Sequence, residues 1–203
     1  MKDKIIDKFM INKKKIFVIS GPSGVGKSTL IKMLIKEFPR DISCVVSCTT
    51  RGIREGEQDG KDYYFLKHDE FQRLINEDKF VEYVECFGNM YGTAKFAIEN
   101  TISKYNSCIL DLEWEGAYNF IHNNNYFTNK YDVYGILILP PSISSLCSRL
   151  QNRNSETKES LKIRLCESFN IKNVAKYDYI IVNDNVNIAY EKLKNIFLFH
   201  AKI

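Results

Sequence analysis

The chain has 203 residues, of which 44% are hydrophobic and 27% charged, with a formal net charge of +4. This balance excludes a disordered or fibrous chain, and the length suits one domain with room for an inserted lobe. No apolar run approaches the ~20 residues of a membrane span, and the stretch from Met1 to Lys8 has no apolar segment of a secretory leader, so a cytoplasmic protein that does not engage a membrane is expected.

In chain order, Ile16–Ile19 reads as a buried strand, after a short basic lead-in, Lys13-Lys14-Lys15, that reads as solvated. Gly21-Pro22-Ser23-Gly24-Val25-Gly26-Lys27-Ser28-Thr29 follows and fits the phosphate-loop pattern G-x-x-x-x-G-K-[ST] without a gap. A helix is predicted over Ser28–Glu37, stopped by Pro39. Cys44–Ser47 reads as the next strand. From about Arg51 to Tyr91 the rhythm breaks into short pieces rich in charge, tyrosine and glycine. Tyr63–Leu66 and Phe80–Val84 look like short strands there, with a helix over Asp69–Asn76, and the region reads as a small mixed lobe inserted between core elements.

Beyond it come a helix over Thr93–Lys104 and strands over Ser107–Leu110 and Val133–Leu139. A helix over Ile143–Leu150 and a polar break from Asn152 to Lys158, read as a flap, are followed by a helix over Glu159–Lys176, a strand over Tyr179–Val182 and a helix over Asn187–His200. The tract His122-Asn123-Asn124-Asn125 reads as a surface loop. Strands alternating with helices predict an α/β fold, a three-layer parallel sheet with helices on both faces.

The glycine-rich loop explains itself chemically. Glycines let backbone N–H groups converge on one point, at the positive end of the following helix, where a polyphosphate can sit. Lys27 is then expected to reach the terminal phosphates and the Ser28 hydroxyl to ligate Mg²⁺. Cys108-Ile109-Leu110-Asp111 is an apolar strand ending in a carboxylate, which either holds the metal through water or is a plain turn residue. Arg51 and Arg54, three apart, could clamp one phosphate with Tyr63 and Tyr91 adding phenol donors, or could be exposed loop charges. Glu82 sits in a Val-Glu-Tyr strand pattern, where an outward polar residue is the bland alternative. The six cysteines, Cys44, Cys48, Cys86, Cys108, Cys147 and Cys166, form no CxxC pair and have no histidine nearby for a zinc site. They read as reduced thiols, and His68, His122 and His200 as surface or satisfied histidines. The basic residues do not gather into a block, so no nucleic-acid partner is expected; a modest positive excess also suits an enzyme holding anionic substrates.

Taken together, five blocks resemble the guanylate kinases: Gly21–Thr29, Ser47-x-Thr49-Thr50-Arg51-x-x-Arg54-x-Gly56-Glu57, Gly60-Lys61-Asp62-Tyr63, Gly88-Asn89-Met90-Tyr91-Gly92-Thr93 and Ile109-Leu110-Asp111. The likeness runs from about Lys15 to Phe199. It implies a single domain over 1–203, with a phosphate-loop core (15–46 and 93–203), a GMP-binding lobe (47–92) and a helical lid at about 142–165. The implied reaction moves the γ-phosphate of ATP to GMP, giving ADP and GDP, with Mg²⁺ as cofactor and a monomer as the working unit. The choice between GMP and dGMP stays open.

By motif match, Ser23, Gly24, Val25, Gly26, Lys27, Ser28, Thr29 and Asn183 bind ATP, and Ser28 and Asp111 attend the metal. Arg51, Arg54, Tyr63 and Tyr91 hold the GMP phosphate. Glu82, with Ser47 and Thr93, reads guanine, and Asp111 and Glu113 complete the GMP side. Lys27, Arg51, Arg149, Arg153 and Arg164 act on the transferring phosphate. Guanine offers adjacent N1–H and N2 amine donors that one carboxylate can accept, whereas adenine presents a lone pair at N1. Asp111-Leu112-Glu113-Trp114-Glu115-Gly116 departs from the family's Asp-x-Asp-x-Gln-Gly: Glu113 replaces a shorter carboxylate and Glu115 an amide, and Ile53 stands where a proline is common. The fold also occurs in scaffold modules that bind peptides, but those have degraded loops. A GTPase switch is disfavoured because Trp114 stands where a D-x-x-G element opening at Asp111 would need glycine.

Overall fold

Strand β1 (Lys15–Ser20) is buried along its whole length, as a strand covered on both faces must be. It lies at the centre of a parallel sheet in the structure, a computed structural model that describes residues 13–86, 88–151 and 176–202, without the side chains of Cys86 and Gln151. Its neighbours are β7 (Ser107–Asp111) and β8 (Asp132–Leu139), and β2 (Ile42–Cys44) and β9 (Tyr179–Val182) complete the order β2-β7-β1-β8-β9. Side chains of a strand point alternately to opposite faces, and β1 divides accordingly. Ile16 and Val18 join Ala97 and Ile98 of α3 (Lys95–Lys104) and Ala117 and Phe120 of α4 (Trp114–Asn123). Phe17 and Ile19 join Leu30 and Leu34 of α1 (Lys27–Glu37) and Leu193 and Phe197 of α7 (Val186–Ala201). The result is the three-layer α/β architecture expected from the alternating pattern. Each fully buried aliphatic or phenyl side chain contributes roughly 1.5–3 kcal/mol of transfer free energy.

A second sheet is built from the inserted region. Its order is β4-β3-β6-β5, from β3 (Cys48–Thr49), β4 (Tyr64–Phe65), β5 (Phe80–Cys86) and β6 (Asn89–Ala94). β5 and β6 are antiparallel, with an irregularity between Phe80 and Glu82. Helix α2 (His68–Asn76) buries Phe71 against Phe80, ring centroids 4.4 Å apart.

Several expectations shift. The second strand ends at Cys44 rather than starting there: it pairs with β7 over Ile42–Cys44, and by Ser47, whose carbonyl accepts Tyr64 N–H, the chain is already tied to the lobe. Thr93 belongs to β6, not to the helix after it. Lys15 is not a solvated lead-in residue: it opens β1 and is buried, with Nζ 4.0 Å from Asp132. The tract from His122 to Asn125 is on the surface but is not a loop. It is the junction of α4 with α5 (Asn125–Lys130), where the Asn124 side chain caps α5 by accepting from Phe127 N–H. Helix α6 (Ile143–Gln151) follows β8 as expected. The expected flap Asn152–Lys158, nearly all of the helix Glu159–Lys176, and with them Arg153, Arg164 and Cys166, lie outside the described residues. No described helix is long and apolar enough to cross a membrane.

Candidate active site

The phosphate loop leaves β1 at Gly21, where φ is 146° and an added Cβ would lie 2.1 Å from the carbonyl oxygen of Ile138 in β8. Backbone of the adjacent strand fills that space, so no side chain fits. Gly26, at φ 101°, caps α1 in the left-handed conformation that glycine adopts without strain. Backbone alternating between right- and left-handed conformations forms a concave nest of N–H groups, here opening onto the first turn of α1. Val25 plugs the underside of the loop and is fully buried. The buried Asn183, just past β9, donates from Nδ2 to Val25 O at 2.8 Å and from its own N–H to Leu139 O at 2.8 Å. Asn183 therefore braces the loop. Arg149 of α6 donates to Asn183 O at 2.9 Å and to Val25 O at 3.5 Å, so in this arrangement its guanidinium sits on loop and strand carbonyls.

Parallel pairing puts the acidic strand end beside the loop. Asp111 is the last residue of β7 and lies opposite Ile19 of β1. Lys27 Nζ donates to Gly21 O at 2.7 Å and stands 3.9 Å from Asp111 Oδ1. Burial pushes the Asp111 carboxyl above its ordinary range, the Lys27 ammonium opposes this, and Glu113 adds to the rise. A cleft of about 230 Å³ is lined by loop residues including Ser23, Gly24, Lys27, Ser28 and Thr29, by Asp111 and Glu113, and by Tyr63 from the lobe. Its oxygen donors suit Mg²⁺, which is commonly held by one or two protein oxygens with phosphates and water completing the octahedron. A hollow of about 350 Å³ between Ile121, Thr128 and the start of β8 at Asp132 lies at the opposite end of the strands; open parallel sheets bind ligands at the carboxyl ends.

The lobe reaches the cleft through Tyr63. Glu82 on β5 pairs across the strands with Thr93 on β6, whose Oγ1 donates to Glu82 Oε1 at 2.7 Å. Thr93 is buried. Burial raises the Glu82 carboxyl above its ordinary value; the Thr93 hydrogen bonds work against this and Glu113 works with it. Tyr63 and Tyr91 meet edge to face with centroids 6.2 Å apart. The Arg51 guanidinium stands 5.5 Å from the Tyr63 ring centre and 5.6 Å from that of Phe65.

Arg51 is also held by Glu57, with Nη2 to Oε1 at 2.8 Å and Nη1 to Oε2 at 3.0 Å. Glu57 accepts Arg54 N–H at 2.9 Å, while the Arg54 side chain is exposed. Thr49 and Thr50 tie this turn to β6: Thr49 Oγ1 accepts Arg51 N–H and donates to Met90 O, and Thr50 Oγ1 accepts Met90 N–H. The sequence reading gave none of Glu57, Thr49 and Thr50 a role. An acidic residue six positions after Arg51, in a turn with Gly56, was the available signal. Lys27, Ser28, Tyr63, Asp111 and Glu113 thus line one cleft, Arg51, Tyr63 and Tyr91 cluster, and Glu82 pairs with Thr93. Ser47 immediately precedes β3, and its carbonyl accepts Tyr64 N–H.

The guanylate kinase family profile matches residues 13–200. A guanylate kinase of Clostridium perfringens (strain SM101 / Type A) is 42% identical over 188 residues, 92% of this chain and 84% of that protein. One from Desulfitobacterium hafniense (strain Y51) is 39% identical over 184 residues, 90% and 88% of the two chains. The crystal structure of guanylate kinase from Anaplasma phagocytophilum superposes with a TM-score of 0.68 at 32% identity, covering 94% of this chain and 87% of that one. The matched stretch takes in the phosphate loop, the acidic strand end and the inserted lobe, and this chain belongs to the guanylate kinase family.

Proposed function

We propose that the protein carries out Mg²⁺-dependent phosphoryl transfer from ATP to GMP with the residues assembled above. An oxygen of the GMP phosphate attacks the γ-phosphorus of ATP, the bond from that phosphorus to the β–γ bridging oxygen breaks, and ADP leaves with the electron pair. The attacking oxygen is already anionic, so no general base is needed, and positioning and charge neutralisation do most of the work.

In this reading the loop from Ser23 to Thr29 cradles the triphosphate, Lys27 reaches its terminal phosphates and Asn183 keeps the loop in shape. Ser28 and Asp111 would hold Mg²⁺, which when bound neutralises phosphate charge. Arg51, Arg54, Tyr63 and Tyr91 hold the GMP phosphate, and Glu57 keeps the Arg51 fork aimed. Glu82 accepts the guanine N1–H and N2 amine. Thr93 already gives its only hydroxyl proton to Glu82, which leaves Ser47 as the hydroxyl free to donate to O6. Glu113 stands on the guanine side of the cleft. Arg149, Arg153 and Arg164 belong to the lid and act on the transferring phosphate.

We divide the chain as one domain, with the core at 15–46 and 93–203, the acceptor lobe at 47–92 and the lid at about 142–165. A reducing, cytoplasmic setting is supported by the free thiols of Cys44, Cys48, Cys108 and Cys147. The observation that carries the whole reading is the shared cleft: Lys27 and Ser28 of the triphosphate loop and Tyr63 of the acceptor lobe line the same cavity. A coupled assay with ATP against GMP, dGMP, AMP, CMP and UMP tests it. Turnover with the guanine nucleotides alone, lost by two to three orders of magnitude in a folded Lys27→Ala variant, is expected; ATP binding without conversion of GMP would overturn the reading.

A further inference from the structure

Gly116 lies in the first turn of α4. It is not among the glycines with positive φ, so its backbone does not call for glycine. The space around it does. A Cβ on Gly116 would lie 2.7 Å from Glu82 Oε2, 3.2 Å from Cδ and 3.3 Å from Cγ. The other carboxylate oxygen, Oε1, is fixed at 2.7 Å by the Thr93 hydroxyl. The Glu82 carboxylate is thus held on two sides, by a hydrogen bond from β6 and by the bare Cα of Gly116. The positive end of α4 also favours an anion at this place.

We propose that Gly116 is a positioning residue for guanine recognition: its missing side chain is the slot that sets the plane of the Glu82 carboxylate. The inference rests on the reading of Glu82 as the guanine acceptor. Two adjacent donors on the base require two acceptor lone pairs in one plane, at hydrogen-bond angles that weaken steeply when tilted. The three atoms that an alanine methyl at position 116 would approach most closely all belong to the Glu82 side chain. The methyl meets the end of a side chain that can move, so the carboxylate swings away from its seat while the fold persists. Alanine is also the better helix former, so the substitution separates recognition from stability by opposite signs.

The test is a double-mutant cycle of Gly116→Ala, Glu82→Ala and the pair, with KM for GMP, kcat, the preference for GMP over AMP, and Tm measured for each. Gly116→Ala is expected to raise KM for GMP about tenfold, to change kcat by less than about threefold, to narrow the preference for GMP over AMP, and to leave Tm unchanged or slightly higher. In the Glu82→Ala background the same change should alter KM by less than about twofold. A Gly116→Ala enzyme with KM near that of the parent, or an equally large effect in both backgrounds, overturns the proposal while leaving Glu82 as the reader. A Glu82→Ala enzyme with unchanged KM instead overturns the reading of Glu82, and the proposal with it. Should Gly116→Ala fail to fold, folding of the double variant keeps Glu82 as the obstruction, and failure of both refutes it.

Discussion

The two sides of the site are built by different means. On the triphosphate side the geometry belongs to the main chain: strand register sets Asp111 beside Ile19, and backbone packing of β8 shapes the loop at Gly21. On the acceptor side it belongs to side chains that hold each other, Arg51 with Glu57 and Glu82 with Thr93. A loop shaped by backbone packing loses its shape only when the fold gives way. A site made from paired side chains can lose recognition while the fold stands.

The largest effect should come from attacking the main-chain side. Gly21→Ala forces a methyl into the Ile138 carbonyl, and overpacking against backbone at a positive φ is expected to cost about 3 kcal/mol or more. Chemical denaturation should show a loss of that order, with turnover falling in parallel; a folded, stable Gly21→Ala protein would contradict the account of the loop. Glu82→Gln should do the reverse. Its KM for GMP is expected to rise about tenfold to a hundredfold, because the amide cannot accept both base donors, while the denaturation midpoint at neutral pH stays level or rises.

The stability half of that expectation follows from the sign of the pKa shift. Burial holds the Glu82 carboxyl above its ordinary 4.5, so the folded protein prefers it protonated, and its ionisation at higher pH opposes folding. Glu57 behaves oppositely: the Arg51 hydrogen bonds hold it below 4.5, so its contribution persists above that pH and is lost only as pH falls through the lowered value. The smallest predicted effect separates the two. On acidification, kcat/KM for GMP should begin to fall while pH is still above 4.5, as Glu82 takes up a proton and stops accepting. The Arg51–Glu57 pair stays intact over that range. Glu82→Gln should lack this limb of the profile, and a limb unchanged in that variant would assign it to another group.

What was legible in the sequence follows the same division. The loop, its strand and helix, the Asp111 strand end and β9 were readable because apolar periodicity and glycine spacing record backbone geometry directly. Helices α4 and α5 were not, since Trp114–Asn123 and Asn125–Lys130 are rich in aromatic and amide side chains with weak helix propensity. They are helical because Ala117, Phe120 and Phe127 are buried in the core and Asn124 caps the second of them. The Arg51–Glu57 fork and the approach of Gly116 to Glu82 also escaped notice. Each depends on where a side chain points, and the second joins residues from separate elements, which local patterning does not encode.

The turn that seats the Glu82 carboxylate also begins with Trp114, the one tryptophan of the chain, whose ring meets Tyr177 edge-on at 5.9 Å. Ultraviolet emission excited at the red edge of indole absorption therefore originates at a single point, between the Glu82 seat and the start of β9. Nucleotide titrations can be followed on unlabelled protein, with every spectral change assignable to that corner.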